Sequence, residues 1–159
     1  MPDLHPDLAR ILIPVEEIQA RVSELARKIS ADYENVDQLY LIGVLKGAFI
    51  FLADLTRQLN VPHLVDFMAL SSYGKTTVSG AVRIVMDLRE PIEGQHVLIV
   101  EDIVDSGQTL SYLYRILKGR NPASLIKFSK YFLFKSNITS FDKSYSMASS
   151  DNDYTHRNH

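Results

Sequence analysis

From Val97 to Thr109 the chain reads Val-Leu-Ile-Val-Glu-Asp-Ile-Val-Asp-Ser-Gly-Gln-Thr, an apolar run that passes directly into three carboxylates and a small glycine-bearing turn. Val97 to Val100, mostly β-branched, read as a strand buried on both faces, which occurs where helices cover both sides of a parallel sheet. Glu101 and Asp102 then fall at the carboxyl end of a central strand, the edge at which open α/β sheets take their ligands. Beyond them, Asp105, Ser106, Gly107, Gln108 and Thr109 combine a capping carboxylate, two hydroxyls and a glycine ahead of a helical pattern. Amides in such a turn lack intrahelical partners, so a phosphate can occupy them with help from the helix dipole. The plainer reading is a strand with solvated carboxylates and an ordinary helix cap at Asp105.

The rest of the chain supplies the matching layers. Val15, Ile18, Val22, Leu25 and Ile29 recur at helical spacing behind Pro14, Glu16 and Glu17, the pattern of an amphipathic helix start. Leu39 to Leu45 is a second buried strand, ending in Lys46-Gly47 before an apolar helix predicted over Ala48 to Leu59. A lysine and a glycine at that position are site residues by location; the alternative is a solvent-exposed lysine in a strand-to-helix turn. His63 to Ser71 and Ala81 to Met86 form a hairpin around Ser71 to Gly80, which is small, polar and reads as a mobile loop. Asp87 to Gly94 is a turn. Leu110, Leu113, Tyr114 and Leu117 predict a helix stopped by Gly119, and Ala123 to Phe134 is a further strand candidate. Strand and helix alternate as a parallel sheet requires.

At Val-Glu-Asp-Ile-Val-Asp-Ser-Gly-Gln-Thr and at Leu45-Lys46-Gly47 the chain resembles the phosphoribosyltransferases that use 5-phosphoribosyl 1-pyrophosphate, and within them the hypoxanthine-guanine branch. A receiver domain also carries an acidic pair after an apolar strand, but near its start, whereas here the pair stands at 101 and 102 of 159 residues. The resemblance implies an open α/β sheet with central parallel strands flanked by helices and a flexible loop borne on a hairpin; the family's C-terminal hood is not recognisable. It implies transfer of ribose 5-phosphate to hypoxanthine or guanine, with Mg²⁺ as cofactor and a homodimer or homotetramer as the assembly. By the same likeness Lys46 and Gly47 meet the pyrophosphate, and Ser106 to Thr109 clamp the 5-phosphate. Glu101 and Asp102 stand near the ribose hydroxyls and the metal, directly or through water. Ile103 touches the base, Asp105 exchanges a proton with the purine, and Ser72 and Tyr73 close over the site.

Composition narrows the field. With 46% hydrophobic and 23% charged residues the chain supports one domain with a full core. Seventeen Lys and Arg against nineteen Asp and Glu argue against nucleic acid and anionic membranes as partners, and so against a nucleic-acid-binding regulator that senses the same donor. The absence of cysteine removes thiol catalysis and thiolate metal sites. The amino-terminal residues lack a signal-peptide pattern, which makes the cytoplasm the expected location. Transferases for adenine, xanthine or orotate remain alternatives. The likeness runs from about residue 10 to about residue 125, and the domain is expected over 1–134. From Lys135 to His159 there is neither Gly nor Pro, and this polar tail is expected to pack poorly. Lys130, Lys135, Asp142, Asp151 and Arg157 match none of the contexts in which the family reads its base.

Overall fold

The computed structural model describes residues 10–72, 82–101 and 108–129. Helix α1, Val15–Asp32, begins behind Pro14 in extended conformation, with Glu16 and Glu17 in its first turn. Both features favour a helix start, since proline forgoes an amide that has no partner there and the carboxylates face the positive dipole end. Strand β1 is Leu39–Leu45, α2 is Phe49–Thr56, β2 is His63–Ser72 and β3 is Val82–Met86. Strand β4, His96–Glu101, leads toward α3, Gln108–Lys118, and β5 is Ser124–Ser129.

The strands form one sheet in the order β3-β2-β1-β4-β5. β1, β2, β4 and β5 run parallel, and β3 is antiparallel to β2. The middle strand is therefore β1, not the 97–100 strand, which lies beside it. Ser71, expected at the end of the strand where the loop begins, pairs with Arg83, and Ser72, expected in the loop, belongs to β2 and pairs with Val82. Backbone pairing of the hairpin persists further than side-chain polarity suggests. α2 is shorter than the predicted 48–59 helix, and β5 is described to Ser129 rather than Phe134.

Alternation along the strands sorts side chains into two cores. Leu39, Leu41, Leu98 and Val100 pack under α1 and α2 with Val22, Leu25, Ile29, Leu52 and Leu55. Tyr40, Ile42, Val44, Val97 and Ile99 face the other way, against Leu110, Leu113 and Leu117 of α3. Such residues each gain about 1.5–3 kcal/mol from burial. Gly43 is a packing requirement: a Cβ there would lie 2.7 Å from Leu52 Cδ2 and 3.0 Å from Phe67 Cδ1. Its missing side chain is the space into which α2 closes on the sheet. At the end of α3, Gly119 follows the last helical residue as expected, but the left-handed conformation is taken by Asn121, φ 54°, whose side chain tolerates it.

Candidate functional site

β1 is followed by α2 and then β2 on one side, while β4 is followed by α3 and then β5 on the other. The chain thus leaves the carboxyl ends of β1 and β4 in opposite directions. That divergence opens a crevice between the two strand ends, the general ligand position of open α/β sheets. The β1–β4 pairing extends to Gly43 opposite Val100, which brings the Lys46–Gly47 turn and Glu101 to neighbouring exits from the sheet.

Lys46 and Gly47 are exposed in that turn, next to Ala48, which is buried. The Leu45–Lys46 peptide is cis. Glu101 is still paired within β4, opposite Ser129, and is only 8% exposed. It is the last residue of β4, the strand end at which it was expected, and its carboxylate is buried there. Burial of a charge is costly unless other groups compensate it. Gln108 and Thr109 form the first turn of α3, so their backbone amides belong to a helix start as the sequence implies. Ser72 closes β2 at the same edge of the sheet, since it lies beyond Ala69, the partner of Leu45. Asp102, Ile103, Asp105, Ser106, Gly107 and Tyr73 lie outside the described residues.

One polar centre in the sheet was missed from sequence. Asp66, in the middle of β2, accepts hydrogen bonds from the Tyr40 hydroxyl at 2.9 Å, the Phe67 amide at 2.8 Å and the Arg89 amide at 2.8 Å. Burial alone would raise its pKa, but the amides of Arg89 and Phe67 and the Tyr40 hydroxyl outweigh it and hold the carboxyl below the usual range. Burial, then the bond to Asp66, pushes Tyr40 up to about 12. The available signal was an aspartate inside an otherwise apolar strand pattern, a residue type seldom buried unless partnered.

The fold thus brings a lysine-glycine turn and a buried acid to adjacent strand exits at a topological switch point, the place where open α/β sheets take their ligands. The phosphoribosyl transferase domain model matches residues 14–152, and the chain belongs to that family. The match continues past residue 125, where the resemblance in sequence was expected to end.

A hypoxanthine-guanine phosphoribosyltransferase of Dictyostelium discoideum is 50% identical over 119 residues, 72% of this chain and 66% of the relative. The Mycobacterium bovis protein of the same name is 51% identical over 130 residues, covering 77% of this chain and 64% of its own length. The chain thus spans about two thirds of these relatives. Among solved structures, the hypoxanthine phosphoribosyltransferase of Trypanosoma cruzi in complex with the product IMP superposes with a TM-score of 0.73 at 47% identity, covering 80% of this chain and 73% of that one. A second structure of the T. cruzi enzyme, concerned with the role of its C-terminal region in oligomeric state and activity, has a TM-score of 0.74 at 47% identity and covers 80% and 71%. Among the described residues no helix is long and apolar enough to cross a membrane.

Proposed function

We propose that this chain binds phosphoribosyl pyrophosphate at the β1–β4 crevice and transfers its ribose 5-phosphate to hypoxanthine or guanine, releasing pyrophosphate. The observation that carries this is the adjacency of Lys46-Gly47 and Glu101 at the sheet's switch point, in a family whose relatives at about 50% identity bear that activity in their names. Pyrophosphate leaves C1 of the sugar while positive charge builds on the ribose ring. The site must therefore hold both ends of the donor and stabilise separating charges.

In this reading the exposed glycine turn admits the pyrophosphate to backbone amides, with Lys46 as the local cation. Ser106, Gly107, Gln108 and Thr109 hold the 5-phosphate ahead of α3. Glu101 and Asp102 hold the ribose hydroxyls and a Mg²⁺ ion. The buried carboxylate of Glu101 suits a hard cation bound by one or two carboxylates together with substrate oxygens; when bound, such an ion would neutralise charge on the leaving pyrophosphate. Asp105 takes or returns the proton of the purine ring nitrogen, Ile103 borders the base, and Ser72 with Tyr73 covers the site. Self-association as a dimer or tetramer belongs to the same reading, supported by Phe49 and Ile50, 52% and 58% exposed beside the Lys46 turn.

Donor binding and base transfer are separable. The donor groups all precede residue 110, whereas the aromatic and basic residues of the tail from Lys135 stand in none of the contexts in which the resembling family reads its base. Calorimetric titration with phosphoribosyl pyrophosphate and Mg²⁺, followed by hypoxanthine or guanine, tests both steps. Donor binding followed by slow nucleotide formation is expected of this chain. No donor binding at all would overturn the assignment, and efficient nucleotide formation would show that the tail builds a base pocket.

A further inference from the structure

The segment between β3 and β4 crosses the α3-side face of the sheet and is fastened in two chemically different ways. Its first half is held by carboxylates. The Arg89 amide and the Tyr40 hydroxyl both donate to Oδ2 of Asp66, at 2.8 and 2.9 Å. The carboxylate of Asp87 receives Nη1 and Nη2 of Arg120 at 2.8 and 2.7 Å, and the Leu88 amide at 2.8 Å. The second half is held by groups that do not titrate. Ile92 is buried, the Gln95 amide donates to the Ile92 carbonyl at 3.1 Å, the Gly94 amide to the Asn121 carbonyl at 2.9 Å, and the Ala123 amide to the Gln95 carbonyl at 2.9 Å.

We propose that Asp87 to Glu90 is an acid-releasable clasp: protonation of Asp66 and Asp87 frees this half of the crossing while Ile92 to Gln95 stays in place. Oδ2 of Asp66 serves two donors at once, and protonating the carboxylate removes the charge that makes its bonds to the Arg89 amide, the Phe67 amide and the Tyr40 hydroxyl strong. On Asp87, protonation removes the charge that makes the paired bonds from Arg120 strong. The groups facing these carboxylates are Tyr40 from β1, the Arg89 guanidinium from the crossing itself and Arg120 from the turn after α3, while Glu90 acts on the Tyr40 hydroxyl. α3 also contributes Tyr114 to the apolar cluster beneath.

The direction follows from the same contacts. Asp66 and Asp87 are both held below the usual carboxylate range, Asp87 chiefly by Arg120. A lowered native value makes each contribution complete above the unfolded value, about 3.9, and lost as pH falls through the native one. The clasp therefore opens on acidification and is indifferent to alkali near neutrality.

Amide hydrogen exchange on the full chain, expressed as protection factors between pH 7 and pH 3, tests this. Arg89 and Leu88 are expected to lose protection at a higher pH than Gly94 and Ala123. Asp66→Asn is expected to lower Arg89 protection at least tenfold at pH 7 and leave Gly94 and Ala123 unchanged. Should that variant not fold, Tyr40→Phe keeps the carboxylate and should retain the early acid loss at Arg89. Simultaneous loss of protection at all four amides in the parent chain, or Arg89 protection in Asp66→Asn equal to the parent's, overturns the clasp.

Discussion

The two ends of the sheet are built to opposite specifications. At the amino end, where β4 and β5 begin, Tyr33 packs edge-on against His96 with ring centroids 6.1 Å apart, and His96 Nδ1 lies 2.9 Å from Ser124 Oγ. Burial raises the Tyr33 hydroxyl above its ordinary range, against the pull of Ser124. The Leu39 amide donates to the Pro62 carbonyl at 2.9 Å and the Asn60 amide to Ser30 Oγ at 3.0 Å. At the carboxyl end the turn after β1 is held by Ala48 N–H to Val44 and Phe49 N–H to Lys46, each 3.4 Å, about as long as the Ser124 N–H to Gln95 bond at the amino end, 3.5 Å. Those lie beyond the usual 2.7–3.2 Å range for such bonds, on the order of the weakest that count. The amino end thus joins elements through side chains distant in sequence, while the carboxyl end carries the exposed Lys46-Gly47 turn and the buried Glu101.

If that division is real, substitutions at the carboxyl end should change function without stability, and substitutions in the core or at the amino end the reverse. The largest expected effect is at Asp105. In a form of the protein that turns over, Asp105→Asn should lower kcat by ~10², about 2.7 kcal/mol, with donor affinity and melting temperature near the parent's. Steady-state kinetics beside donor titration decide it, and loss of donor binding with unaltered kcat would reverse the role proposed for this residue.

The converse test lies in the core. Gly43→Val puts atoms where Leu52 Cδ2 would be 2.7 Å away, and overpacking of this kind costs about 1–3 kcal/mol. Denaturant unfolding should show that loss. A stability equal to the parent's would mean that α2 yields easily, and that the glycine is there for another reason.

Returning to the turn before α3, Gly107→Val should crowd the 5-phosphate and weaken donor binding at least tenfold, about 1.4 kcal/mol. The melting temperature should barely move. Unchanged affinity in calorimetry would sink the phosphate assignment.

The sequence conveyed these two ends unequally. The carboxyl end is legible because its signals are local: an apolar run changing to Glu101-Asp102, and Lys46-Gly47 after Leu45, each mark a strand exit within a few residues. The layers were equally readable, since Val97 to Val100 are fully buried as their unbroken apolarity requires. The amino end and the crossing segment depend on contacts distant in sequence, Tyr40 with Asp66, Asp87 with Arg120, Tyr33 with His96. Periodicity cannot pair such residues: Asp66 stands out in its apolar strand, but nothing local names Tyr40 as its partner. For the same reason β1 rather than β4 proved to be the middle strand: strand order is set by crossover direction, to which hydrophobic pattern is blind.

The smallest expected effect is at Arg120, and it separates the two ends most cleanly. Its guanidinium makes two bonds to Asp87, but the two side chains are 31% and 47% exposed, so water and salt screen the pair and its contribution is about 0.5–1 kcal/mol. Arg120→Ala should lower stability by that amount at pH 7 and leave donor affinity alone. Its pH dependence carries the sign. Arg120 holds the Asp87 carboxyl below the usual range, so the pair's contribution is complete above about pH 3.9 and disappears as pH falls through the native value. The stability difference between Arg120→Ala and the parent should therefore be constant from pH 5 to 8 and shrink toward zero in acid. A difference that persisted undiminished at low pH would show that Arg120 acts through packing of its aliphatic stem rather than through Asp87, and any change in donor affinity would show that the two ends are not independent.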